Sequence, residues 1–169
     1  MTPQDTYAKL IALLDERGAS YRVIEHDPEG VTEAVSRLRG HDPRQAAKCI
    51  IVMVKVNKRE RRYAAVVLPG TKRVDFERIK TLYNAVYAGF APREAAERLA
   101  GTAVGTIPPF SFDEELELIA DPEVLEFPEV FFNAARLDRT IALSGADYRA
   151  IAAPRVEPVA DDRPAQSGG

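Results

Sequence analysis

Ala46-Ala47-Lys48-Cys49-Ile50-Ile51-Val52-Met53-Val54-Lys55-Val56 is the most continuous apolar run in the chain. A strand with one wet face alternates apolar and polar residues. This one does not alternate from Cys49 to Val54, which predicts a central strand covered on both faces. The polar interval Asn57-Lys58-Arg59-Glu60-Arg61 and the second run Tyr63-Ala64-Ala65-Val66-Val67-Leu68, stopped by Pro69-Gly70, then make an antiparallel hairpin.

Toward the N-terminus, Thr2-Pro3 supplies a capping hydroxyl and a proline suited to a first helical position. Tyr7, Leu10, Ile11 and Leu14 follow at helical spacing until Gly18. Tyr21-Arg22-Val23-Ile24-Glu25 predicts a short strand, Asp27-Pro28-Glu29-Gly30 a turn, and Thr32 the cap of a helix carrying Val35 and Leu38 up to Gly40. Asp42-Pro43 can open another short helix. Toward the C-terminus, Asp75 caps a helix with Phe76, Ile79 and Leu82, and a further helix runs from Pro92 through Leu99 to Gly101. Leu116–Ala120, Val130–Asn133 and Thr140–Leu143 are strand candidates, and Asp147–Ile151 a last helical turn or two. Helices interspersed with strands and a hairpin predict an α+β fold, a mixed sheet flanked by helices.

Composition narrows the function classes. A chain of 169 residues, 46% of them hydrophobic, can bury one substantial core and is short for two domains. One domain over 1–152 is expected. From 153 to 169 Pro, Asp, Arg, Ser and Gly take over, and a disordered tail is expected there. The start, Met1-Thr2-Pro3-Gln4-Asp5, has no basic segment leading into an apolar one, and no stretch approaches the roughly 18 apolar residues that span a bilayer. A soluble cytoplasmic protein is therefore expected. The lone Cys49 forms no internal disulfide, and with only His26 and His41 beside it no zinc-ligand spacing exists. No metal and no cofactor is expected. A net charge of -3 gives no global basic signature, so RNA contact has to come from local clusters; neither DNA nor membrane is expected as a partner.

Three motifs, in this order, resemble the YbaK/ProX-type aminoacyl-tRNA deacylases, relatives of the editing domain inserted in bacterial prolyl-tRNA synthetases. A lysine opens the central strand in Ala47-Lys48-Cys49-Ile50-Ile51-Val52, with Leu68-Pro69-Gly70 and Val74-Asp75 following. Gly105-Thr106-Ile107-Pro108-Pro109 matches the family's Gly-x-x-x-Pro loop, and the segment from Asn133 to Leu143 resembles its last strand pair. The sequence departs at Ala135 and Ser111, where many relatives have glycine. The resemblance runs from the first helix to Ile151. It implies a single domain with a mainly antiparallel mixed sheet, and a trans-editing hydrolase that removes a small, wrongly attached amino acid from tRNA. Its partners would be mischarged tRNA and, as a candidate, an aminoacyl-tRNA synthetase. The alternative is a non-catalytic module of the same fold that binds an amino acid, tRNA or a synthetase or regulator.

Each site residue has a bland reading beside the functional one. An ammonium at Lys48 can hydrogen-bond an ester carbonyl, a ribose hydroxyl or a phosphate, or can simply bound a strand; the resemblance implies the former. The loop from Gly105 can present backbone N–H groups to an oxyanion, with Thr106, Ile107 and Pro109 near the substrate, or can be a plain tight turn. Asn133 is a candidate for the substrate's amino group or side chain. Thr32 and Thr140 are candidates for lining the pocket, although each can equally cap or pair locally. Cys49 is expected to be a buried structural cysteine facing away from Lys48, and His26 a turn histidine. Lys58, Arg59 and Arg61, with Lys55 and Arg62, crowd one hairpin that can track acceptor-stem phosphates or be an ordinary solvated turn.

Overall fold

The apolar run from Ala46 to Val56 becomes strand β2 (Ala47–Lys55), paired antiparallel to β3 (Arg61–Pro69), with Ala47 opposite Pro69 and Lys55 opposite Arg61. The structure is a computed structural model that describes residues 3–28 and 43–161. The helix expected from Thr32 to Gly40, and His41, lie outside the described residues.

Helix α1 (Pro3–Glu16) buries Leu10 and Leu14 completely and gives way to Gly18 at φ +65°, then to β1 (Tyr21–Glu25). A 3-10 turn at Pro43–Gln45 leads into β2. Helix α2 (Phe76–Leu82) opens as its sequence predicts: the Asp75 carboxylate accepts from the amides of Glu77 and Arg78. Strand β4 (Tyr87–Phe90) follows, then helix α3 (Arg93–Ala100), closed by Gly101 at φ +74°. Strands β5 (Leu116–Ala120), β6 (Glu129–Asn133) and β7 (Arg139–Ser144), helix α4 (Gly145–Ala152) and the two-residue strand β8 (Arg155–Val156) complete the described chain.

The strands divide between two sheets. One has the order β4-β2-β3-β5-β8 and the other β1-β7-β6, and a parallel bridge from Ala46 to Phe131 joins them. The pairs β3/β5 and β5/β8 are parallel and the other described pairs are antiparallel, giving the mixed, mainly antiparallel fold the resemblance implies. The missing alternation in β2 now has its cause. Ala47, Cys49 and Ile51 face a core shared with Leu10, Leu14, Leu99, Phe132 and Tyr148, while Val52 and Val54 turn to a second core around Val66, Leu68, Ile79 and Val159. With helices or the other sheet on both faces, no position in the strand's middle is left for a polar side chain.

The expected tail at 153–169 is corrected as far as Asp161. Arg155 and Val156 pair with Ile119 and Ala120, and Val159 and Ala160 are buried at 1% and 4% exposure. The Asp121 carboxylate accepts from both of their amides at 3.0 Å. Two isolated apolar residues in a Pro/Asp-rich stretch carry no periodic signal, so the sequence gives no sign of this docking.

Candidate active site

Between the two sheets, beside the start of β2, lies a cavity of about 520 Å³. Its walls come from the first residues of β2 (Ala46 to Ile51), the end of β4 (Phe90), the first turn of α3 (Arg93, Ala96), the loop residues Val104, Gly105 and Ile107, and the end of β6 (Phe131 to Asn133). Four of the residues singled out in the sequence therefore meet in one place: Lys48, Gly105, Ile107 and Asn133. Pairing to Leu68 fixes the backbone of Lys48, and its side chain is half-buried at the cavity wall.

The loop is held from three sides. Gly105 has φ +96°, a backbone state that only glycine adopts without strain. Its carbonyl accepts from Asn133 Nδ2 at 2.8 Å, while the amide of the same peptide group, Thr106 N–H, donates to Ala103 at 3.0 Å. One residue earlier, Val104 N–H donates to Glu97 Oε2 at 2.8 Å, and Arg93 Nε meets the same oxygen at 3.4 Å. The Val104 amide, helped by Arg93, holds the Glu97 carboxyl below the ordinary carboxylate range. In the next peptide group, the Thr106 carbonyl accepts from Ala135 N–H at 3.0 Å. A trans peptide points its N–H opposite to its C=O. Ile107 N–H therefore points away from Ala135, which lies off the cavity, while Ile107 itself lines it. Among the described residues, the amides of Gly105 and Ile107 donate to no protein acceptor.

Three expected substrate contacts are not brought to the cavity. Thr106 is buried, and its hydroxyl is committed to Thr102 Oγ1 at 2.7 Å and to the Ala103 carbonyl at 2.6 Å, so it locks the loop instead of facing the cavity. The Pro109 carbonyl accepts from the Tyr148 hydroxyl at 2.8 Å, which anchors the loop exit on α4. Thr140, fully buried, pairs its hydroxyl with His26 Nε2 at 2.8 Å. His26 Nδ1 donates to the Asp27 carbonyl at 2.8 Å, which places this ring beside the β1/β7 pair and off the cavity. Thr32 lies outside the described residues. Lys58 and Arg59 sit on the turn at the far end of β2 and Arg61 opens β3 beside it; Asn57 Oδ1 accepts from the amides of Arg59 and Glu60 at 2.9 Å. The seven residues from Lys48 to Lys55 put that turn about 23 Å from Lys48 at roughly 3.3 Å per residue, and about 13 Å from Ile51 at the nearer wall of the cavity.

Cys49 joins the buried face of β2 as expected, and also touches the cavity wall; burial pushes its thiol up to about 12. A thiol so raised stays protonated and is a poor nucleophile. The described lining contains no carboxylate, imidazole or hydroxyl side chain either. What the walls do offer is two cations, Lys48 and Arg93, an amide side chain, backbone N–H groups and apolar surface. Sequence reasoning missed Phe90, Arg93 and Glu97. The Arg93/Glu97 spacing of four was a visible signal for a helical pair, but nothing in it pointed to Val104. At Ala135, where many relatives of the resembling family have glycine, φ is +65°, so glycine would hold without strain a conformation that alanine holds here at some cost.

The chain is similar to known proteins over most of its length. The family model for the aminoacyl-tRNA editing domain matches residues 26–151. A curated relative from Escherichia coli K12, the multifunctional Ser/Thr-tRNA deacylase ProXp-y, is 38% identical over 152 residues, covering 89% of this chain and 90% of the relative. A crystal structure described as a candidate trans-editing enzyme for prolyl tRNA synthetase superposes with a TM-score of 0.77 at 18% identity, covering 92% of this chain and 97% of the other. Another, of a hypothetical protein, reaches 0.80 at 22% identity, with 90% and 99% covered. The chain belongs to the aminoacyl-tRNA editing domain family.

Proposed function

We infer that this chain is an aminoacyl-tRNA deacylase that hydrolyses the ester joining a small, wrongly attached amino acid to the 3′ end of tRNA. The observation that carries the reading is the meeting of Lys48 with a loop whose peptide groups are clamped by Asn133, Glu97 and Ala135. An aminoacyl ester is already reactive, so orienting it and stabilising its oxyanion in a largely apolar cavity that admits water suffices without a protein nucleophile. Water adds to the ester carbonyl carbon, and the oxyanion that forms takes hydrogen bonds from Ile107 N–H or Gly105 N–H and from the Lys48 ammonium. The C–O bond to the ribose then breaks. The ribose oxygen gains one of the water's protons, the other passes to solvent, and the amino acid leaves as its carboxylate. A pocket separates amino acids differing by one methylene by only about 1–3 kcal/mol, which is why a second hydrolytic site is useful to a synthetase.

Mischarged tRNA is the substrate in this reading, with a synthetase as candidate partner and the cytoplasm, where tRNA is charged, as the compartment. Among the described residues no helix is long and apolar enough to cross a membrane. The relative's name makes seryl and threonyl esters the first to try. A panel of misacylated tRNAs, with uncharged tRNA as the binding control, tests the proposal. Hydrolysis of at least one member is expected; binding without any hydrolysis would replace it with the non-catalytic module.

Two expected results follow from the site's parts. Gly105→Ala meets no atom within 4 Å, so its fault is backbone strain at φ +96° and not a clash. Relief of roughly 1–3 kcal/mol of strain displaces the loop, and deacylation measured in single turnover should fall about fivefold. Changing Lys58, Arg59 and Arg61 together to alanine should weaken binding of uncharged tRNA and flatten its dependence on salt, because fewer counterions are released. An unchanged slope would move the phosphate-binding surface elsewhere.

A further inference from the structure

Phe90 ends β4, an edge strand, and is 67% exposed although it borders the cavity. Burying a phenylalanine side chain is worth roughly 1.5–3 kcal/mol, so a large ring left in water at the mouth of a site offers that much to an occupant that covers it. The ring is nonetheless oriented: it packs edge-to-face with Phe76 of α2, centroids 5.0 Å apart at 80°. Beside it stands Arg93, whose side chain is 76% exposed and which, among the described residues, is engaged through Nε with Glu97. Val104, 49% exposed, adds apolar surface at the same rim.

We propose that Phe90 and Arg93 form a stacking and phosphate-contacting platform for the terminal adenosine of the tRNA, with Phe90 against the purine face. This deepens the deacylase reading and rests on it for the identity of the ligand. The argument is one of connectivity. If the ester lies between Lys48 and the Gly105 loop, the ribose that carries it stands at the cavity mouth, and the base on that ribose has to lie on the rim. An exposed aromatic ring with a neighbouring guanidinium is the surface that takes an unpaired nucleobase, because every base has a π-face and its phosphate is anionic. The basic turn begins just past Lys55, three residues or about 10 Å along β2 from Val52, the partner of Phe90, and is placed for phosphates next to this nucleotide along the chain.

Two readouts decide it. The first compares a misacylated tRNA with the methyl ester of the same amino acid, which carries no nucleoside. Phe90→Ala should lower kcat/KM on the tRNA at least fivefold more than on the methyl ester, and Phe90→Trp should recover most of the difference. Equal losses on both substrates mean that Phe90 acts only through folding and overturn the proposal; so does no loss on either. The second readout does not need activity. The protein has no tryptophan, so Phe90→Trp introduces a single reporter. Titration with adenosine monophosphate should quench its fluorescence, less so after Arg93→Ala is added. No quenching overturns the platform even if the parent is active, whereas quenching in a protein that deacylates nothing keeps the platform and sinks the hydrolase.

Discussion

Replacing Lys48 with alanine is expected to slow deacylation of a susceptible misacylated tRNA by at least about tenfold, equivalent to ~1.4 kcal/mol of transition-state stabilisation. The position of the residue is the first reason. Lys48 follows Ala47 at the start of β2, where pairing to β3 fixes its backbone, and its side chain reaches a cavity whose described lining has one other cation, Arg93. The second is the physics of charge in that setting. An ammonium hydrogen-bonded to a developing oxyanion, walled by Ala46, Ile51, Ala96, Ile107 and Phe131, acts in a poorer dielectric than water, and so gains more as charge builds on the ester. The effect should appear in single-turnover rates with the melting temperature little changed. Lys48→Arg tests geometry against charge: the planar fork is larger, so partial rescue is expected. A Lys48→Ala protein as fast as its parent on every misacylated tRNA would remove this residue from the site.

What could be read from the sequence was whatever local chemistry decides. The unbroken apolar run of β2, the Asp75 cap, the Gly101 stop and the hairpin ending at Pro69 are set by neighbours within a few positions, and each stands where its residues place it. Lys48, Gly105 and Asn133 were legible because a motif marks them. The same motif misleads at Thr106 and Pro109. A motif identifies a residue but not its direction, and Thr102, Ala103 and Tyr148 turn these two groups into supports of the loop. Thr140 likewise answers to His26, a partner 114 residues away. Strand β4 was not legible at all. Tyr87-Ala88-Gly89-Phe90 is short and holds a glycine, and its extended form comes from pairing with Val52 to Lys55. Phe90 was hidden with it.

A chain ending at Ala153 is expected to be less stable than one ending at Asp161 by about 2–4 kcal/mol, seen as a fall of roughly 5–15 °C in melting temperature. The strap from Arg155 to Asp161 costs conformational entropy to order, so deleting it removes only the surplus of its own contacts over that cost. The larger loss lies in what remains. Without Val159 and Ala160, the second core is opened over Val66, Leu68, Val74 and Ile79. Asp121, 7% exposed, keeps its bond to the Glu123 amide at 3.0 Å but loses both amide donors from the strap. The bridge between Val74 and Ala160, the bond from Asp75 N–H to the Val159 carbonyl at 2.8 Å and the bond from Asp161 N–H to the Arg73 carbonyl at 2.8 Å go as well. These tie the strap to the segment that feeds α2, whose Phe76 orients Phe90. Shortening the chain should therefore also weaken the quenching of a Phe90→Trp reporter by adenosine monophosphate, through α2. Asp121→Ala in the full chain should reproduce part of the thermal loss, since it breaks the same two bonds and leaves the Val159 and Ala160 amides without that acceptor while the strap still covers the second core. Melting within about 2 °C of the chain ending at Asp161 would show the strap to be a passenger on the domain.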